Sequence, residues 1–210
     1  MEREEILKYI LPVFLPDVEL QEDNNIYDTE PEKLVVYEWK KLPVCFQSSR
    51  EPKLYRNSDL SYYEIDKRTI FDAAVKNLEE EYEIYIERVY DDSDFVGYLN
   101  KDELKEYGGY DPYNLYCVGV DLFPLSGAEA ILSEVYLNKT AEKFGEDFYV
   151  LVDSVNNMKV IPCSAVYSLN ALSILSEAKR IAIDDTVSFF HGIFRYYIAE
   201  RKLRLISRTK

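Results

Sequence analysis

Residues 115–161 read LYCVGVDLFPLSGAEAILSEVYLNKTAEKFGEDFYVLVDSVNNMKVI, and the order of segments within them decides the fold class. Leu115 to Leu122 (LYCVGVDL) is short and apolar, which is the composition of a buried strand. Ser126-Gly127-Ala128-Glu129 has the spacing of a capping box, in which Ser126 and Glu129 satisfy each other's backbone donors. The helix it opens carries Ile131, Leu132 and Val135, then Leu137, Ala141 and Phe144, and Gly145 is placed to end it in the left-handed conformation. Phe148 to Val152 and Met158 to Ile161 follow as a hairpin, with Asn156-Asn157 at the turn because Asn tolerates positive φ. Both faces of the first hairpin strand are apolar, so it belongs at the centre of its sheet. Strands and helices alternate too irregularly for a doubly wound fold. The order predicts an α+β fold: a mixed or mainly antiparallel sheet with helices packed on it.

Outward from this stretch the signals continue. A third helix is expected from about Leu169 to Ile183, with Asp184-Asp185 capping what begins at Thr186. Upstream, Asp66 caps a helix through Glu80, because Ile70, Phe71, Ala74, Val75 and Leu78 recur at three- and four-residue spacing, with Glu79, Glu80 and Glu81 facing solvent. Residues 83–89 read as a strand, as do Leu34 to Trp39 and Leu42 to Gln47, whereas Gln21 to Glu32 reads as a polar loop. Gly108-Gly109-Tyr110-Asp111-Pro112, after a short helix over Lys101 to Tyr107 capped by Asn100, is a turn. It marks a soft subdivision near 108–114 within one domain spanning 1–210. Ile6 to Leu15 is apolar, but Glu2, Glu4 and Glu5 precede it, the opposite of an export signal. It is expected as a short buried helix stopped by Pro12.

The 210 residues contain 25 Lys+Arg against 39 Asp+Glu, a formal charge of −14. Within residues 195–210, Arg195, Arg201, Lys202, Arg204, Arg208 and Lys210 stand against Glu200 alone, so this basic C-terminal segment carries +5 and the rest −19. A body so negative repels nucleic-acid phosphates and anionic lipid and suits a basic protein partner. The alternation of charge and Leu in Arg201-Lys202-Leu203-Arg204-Leu205 suits a protected edge strand. No apolar run reaches membrane-spanning length. Cys45, Cys117 and Cys163 are odd in number and widely spaced, as in a reducing cytoplasm.

His191 is the single histidine and sits among aromatics, which removes His-based metal sites and most imidazole chemistry. Dinucleotide, P-loop, hydrolase-elbow and zincin motifs are all missing, and no catalytic, cofactor or metal residue is assigned. The acids Asp91-Asp92-Ser93-Asp94, Asp111, Asp121 and Asp184-Asp185 remain as oxygen-ligand candidates, without the spacing of a calcium loop. Tyrosine is in excess, 19 Tyr against 10 Phe and 1 Trp, with Tyr62-Tyr63, Tyr82, Tyr85, Tyr90, Tyr98, Tyr107, Tyr110, Tyr113 and Tyr116 crowded in one half. Tyrosine serves interfaces and half-buried sheets equally well.

Residues 69–78 (TIFDAAVKNL), Gly127-Ala128-Glu129-Ala130-Ile131-Leu132, residues 144–151 (FGEDFYVL) and the closing Phe194-Arg195-Tyr196-Tyr197 together resemble the bacterial domain-of-unknown-function family 5688 and, more distantly, the 1444 family. The resemblance runs from Leu42 to about Tyr197. It implies an architecture and a bacterial intracellular origin, and it carries no catalytic residue. Where that family tends to have Pro-Ser-Ser after the first hairpin strand, this chain has Val152-Asp153-Ser154, and Asn156 or Asn157 where a histidine often follows. Two functions are expected from these readings. The first is a non-catalytic cytosolic binding module, accessory or immunity-like, with an acidic, Tyr-rich surface for a basic protein. The alternative is an enzyme using Asp121 or Asp91 to Asp94 with Tyr hydroxyls as acid–base groups.

Overall fold

The computed structural model describes residues 3–15, 33–51, 53–89, 109–120, 127–154, 158–172 and 188–208. The Gln21 to Glu32 loop, the 101–107 helix, Asp91 to Asp94, Asp121, Ser126, Asn156-Asn157 and Asp184-Asp185 lie outside them, as does the side chain of His191. Of the helix expected over 169–183, residues 169–172 are described and helical.

At the N-terminus, helix α1 (Arg3–Tyr9) runs straight into strand β1 (Ile10–Val13). This corrects the role given to Pro12, which does not stop the helix but lies inside β1, opposite Phe46. β1 is an outer strand of a three-stranded antiparallel sheet ordered β1-β3-β2, built with β2 (Tyr37–Trp39) and β3 (Leu42–Ser48), and an outer strand tolerates the missing N–H. Leu34 falls short of β2 and makes only an isolated bridge to Arg56. A short helix, α2 (Asn57–Tyr62), leads to α3 (Lys67–Glu81). α3 begins where expected: the Asp66 carboxylate accepts from the backbone N–H groups of Arg68 and Thr69 and holds its pKa down through those bonds and the Thr69 hydroxyl. It packs on β1 and α1, and Asn77 donates to the carbonyls of Leu7 (2.9 Å) and Ile10 (2.8 Å), which the end of α1 would otherwise leave unpaired.

The second sheet has six antiparallel strands in the order β4-β5-β7-β6-β8-β9: β4 (Ile84–Arg88), β5 (Tyr116–Val120), β6 (Phe148–Ser154), β7 (Met158–Pro162), β8 (Ser188–Tyr197) and β9 (Lys202–Arg208). The fold is therefore α+β with two antiparallel sheets instead of one. β6 sits inside the sheet between β7 and β8, as its two apolar faces require, and the basic segment forms the outer strand β9. On one face Phe148, Val150, Val118, Val160, Phe194 and Tyr196 join a core that also contains Ile10, Phe46 and Ile70 of the N-terminal elements. On the other face Tyr149, Leu151, Ile161 and Ile193 pack with Leu115, Ala165 and Leu172.

The helix expected from 126 is two pieces. A 3-10 turn over Ala128–Leu132 follows Gly127 at φ 107°, and helix α4 (Glu134–Phe144) starts afresh at Ser133, whose hydroxyl accepts from the Tyr136 N–H. Gly145 ends α4 at φ 71°. Glu129 does not work as a local cap alone. Its fully buried carboxylate accepts from Gly127 N–H and, 115 residues away, from Phe14 N–H, both at 2.8 Å. Val135, expected on the apolar side, is 43% exposed because the break at Ser133 rotates the face that α4 buries.

Candidate interaction surface

Glu79, Glu80 and Glu81 close α3, and its last turn holds no basic residue. The partial negative charge at a helix C-terminus makes each exposed acid there cost about 0.3–1 kcal/mol. Glu79 is drawn inward, where its carboxylate accepts from the Ser133 hydroxyl at 2.6 Å. Glu80 meets Lys76 at 3.5 Å with both side chains well exposed, a pair worth little. Glu81, Glu83 and Glu87 are exposed and have no ion-pair partner among the described residues. Between them run Tyr82, Ile84, Tyr85 and Ile86, all half-buried.

β4, which continues this acidic row with Glu87, is an outer strand of the large sheet. Ile84 and Ile86 lean into the main core, so Tyr85 and Glu87 point to the opposite face. The Tyr85 ring lies across Gly119, its cross-strand partner, where an added Cβ would come within 2.6 Å of the hydroxyl and 2.8 Å of the ring. The corner joining α3 to β4 is pinned from α4. The buried Tyr136 hydroxyl lies 2.6 Å from the carbonyls of both Leu78 and Tyr82, and burial, reinforced by Glu79 and Glu83, pushes its pKa up to about 12. Lys143 Nζ donates to the Ile86 carbonyl at 2.9 Å, so part of the strand's backbone is already occupied and recognition there falls to side chains.

The other depressions offer less. One of about 150 Å³ is lined by Glu5, Tyr9, Ser48, Arg50, Glu51, Lys53 and Tyr55, which brings two acids and two tyrosines together. It is small against the 300–1,000 Å³ of ordinary small-molecule sites. One of its two acids is also engaged: Arg50 pairs with Glu5 at 3.1 Å and lies 3.4 Å from the Tyr9 ring centroid. Shelves beside Lys8 and beside Asn138 and Arg201 are open to solvent.

The remaining sequence candidates take structural places. Asp111 accepts from Tyr113 N–H and from the Asn114 side chain and so shapes its own turn. Cys45, Cys117 and Cys163 are free thiols, and burial pushes the Cys163 pKa up, away from an activated nucleophile. Among the described residues no three His, Cys, Asp or Glu side chains group as a metal shell, and no helix is long and apolar enough to cross a membrane. Much of the tyrosine excess goes inward, since Tyr55, Tyr116, Tyr136, Tyr149 and Tyr196 are buried, while Tyr62 is 79% exposed. Glu79, Glu80 and Glu81 read in the sequence only as a solvated face, and Glu83 and Glu87 as part of a strand, although the absence of any base in the last helical turn was there to be seen. Comparison with family models, with curated proteins and with solved structures finds no match.

Proposed function

We propose that the protein is a non-catalytic binding module, accessory or immunity-like, that takes a basic protein partner on the acidic edge formed by the end of α3 and β4. One observation carries this reading: Glu80 and Glu81 end α3, where acids work against stability, and Glu83 and the outer strand's Glu87 extend them beside half-buried Tyr82 and Tyr85. Residues kept at a local cost are well explained by something they bind. The excess negative charge of the body supports the same reading, since it would steer a cationic partner inward and make the encounter salt-sensitive. The three free thiols suit a reducing, cytosolic setting. Resemblance to the bacterial families is carried by apolar and turn positions, and it adds no residue role to the proposal.

The test is a chemical-shift titration with an extended peptide of alternating Lys and Val, beside its Glu-for-Lys counterpart. The expected result is perturbation concentrated in residues 79–88 by the basic peptide alone, shrinking as salt rises from about 50 to 300 mM. Perturbation centred elsewhere, or equal response to both peptides, overturns the proposal. A saturable response to small metabolites at the Glu5 and Tyr9 depression would put the enzyme alternative in its place.

A further inference from the structure

The other end of the large sheet carries an arrangement that the acidic edge does not explain. Tyr149 of β6, Arg195 of β8 and Arg204 of β9 stand in one row, each directly opposite the next in the strand register. Two arginines facing each other across an antiparallel pair repel. Both guanidinium groups also flank one ring, with Arg195 4.7 Å and Arg204 5.0 Å from the Tyr197 centroid, and Arg195 is 5.7 Å from Tyr149. Arg195 bears a further cost, because its Nε is buried and has no hydrogen-bond partner.

Asp147 offsets only part of this. One of its carboxylate oxygens accepts from Arg195 Nη2 at 2.9 Å, and the other is taken by Ile198 N–H at 3.0 Å. Arg204 is tied by one nitrogen to Glu200 on the exposed surface.

We infer that Arg195 and Arg204, walled by Tyr197, form a binding site for a phosphate dianion, free or carried as a phosphate monoester. A dianion removes the repulsion between the facing arginines and has enough oxygens to accept from both guanidinium groups. The inference is independent of the proposed partner on β4, which lies at the other end of the sheet.

The experiment is thermal unfolding of the full chain at fixed ionic strength, titrated with inorganic phosphate below about 5 mM, where general salting effects are small. Sodium chloride and sodium acetate serve as parallel arms, and a phosphorylated monoester such as glycerol phosphate distinguishes free from esterified phosphate. The wild type is expected to gain stability saturably, with a midpoint below about 1 mM phosphate, while chloride and acetate give no saturable gain. Arg204→Gln should raise that midpoint at least about tenfold. Without phosphate, Arg204→Gln should unfold no lower than wild type, because it relieves the repulsion; a merely structural Arg204 would lower Tm. Glu200→Gln, which frees Arg204, should keep the phosphate response. A phosphate response that chloride matches, that only acetate produces, or that survives Arg204→Gln unchanged overturns the site.

Discussion

The two outer strands of the six-stranded sheet meet the same physical problem with opposite charges. β9 presents Lys202 and Arg204 along a strand whose alternate residues, Leu203 and Leu205, pack inward. Such a strand resists edge-to-edge pairing by charge alone. β4 presents Glu87, with Glu83 just before it, beside the three acids that end α3. Acids would protect an edge equally well, but those on α3 oppose the helix dipole, so protection does not account for them. The difference separates charge that is cheap where it stands from charge retained against a local cost, and the second kind directs attention to binding.

The comparison breaks most visibly at Tyr136. If the acidic edge is held rigidly by the core and the basic edge is not, Tyr136→Ala should cost about 4 kcal/mol in denaturant unfolding, while Arg204→Gln changes stability by less than about 1 kcal/mol. Tyr136→Phe, which removes only the hydroxyl over Leu78 and Tyr82, should cost about 1 kcal/mol. Glu129→Ala comes next. It leaves the buried N–H groups of Phe14 and Gly127 without their carboxylate, for an expected loss of about 3 kcal/mol by the same measurement.

How much of this was legible follows from the reach of each signal. Apolarity on both faces placed β6 inside the sheet, alternation placed β9 at its margin, and Asp66 and Gly145 bounded their helices, because each of these is a local matter of a few residues. The break at Ser133 was missed because a second cap inside an apolar run looks like continuing helix. The partnership of Glu129 with Phe14, like the facing of Arg195 and Arg204, depends on strand register and chain path, which no local spacing encodes. Lys40-Lys41 shows the same limit: both adopt positive φ, 48° and 76°, in the β2–β3 turn without the Asn or Gly that usually announces it. Pro12 misled for a related reason, since its effect depends on whether its strand is inside a sheet or at its margin.

Alkaline pH gives a smaller effect that still separates the two edges. Tyr136 titrates near 12 in the fold against about 10 unfolded, and Tyr55, Tyr82, Tyr149 and Tyr196 are also raised by burial. The unfolded chain therefore loses its phenolic protons first. Stability is fully present below pH 10 and falls as pH rises through 10 toward 12. Tyr136→Phe should flatten part of that fall, as followed by urea midpoints across the range. Smallest, and opposite in sign, is Glu81→Lys: replacing an acid at the end of α3 by a base should raise stability by about 0.5–1 kcal/mol at low salt.

The central claim is that the acidic edge is kept for a basic partner, and the most direct measurement is the affinity of the alternating Lys–Val peptide for wild type and for the double substitution Glu83→Gln, Glu87→Gln. The account predicts binding about three- to tenfold weaker in the variant at low salt, with unfolding unchanged within about 0.5 kcal/mol and the difference vanishing at high salt. Equal affinity of the two proteins at low salt would contradict it.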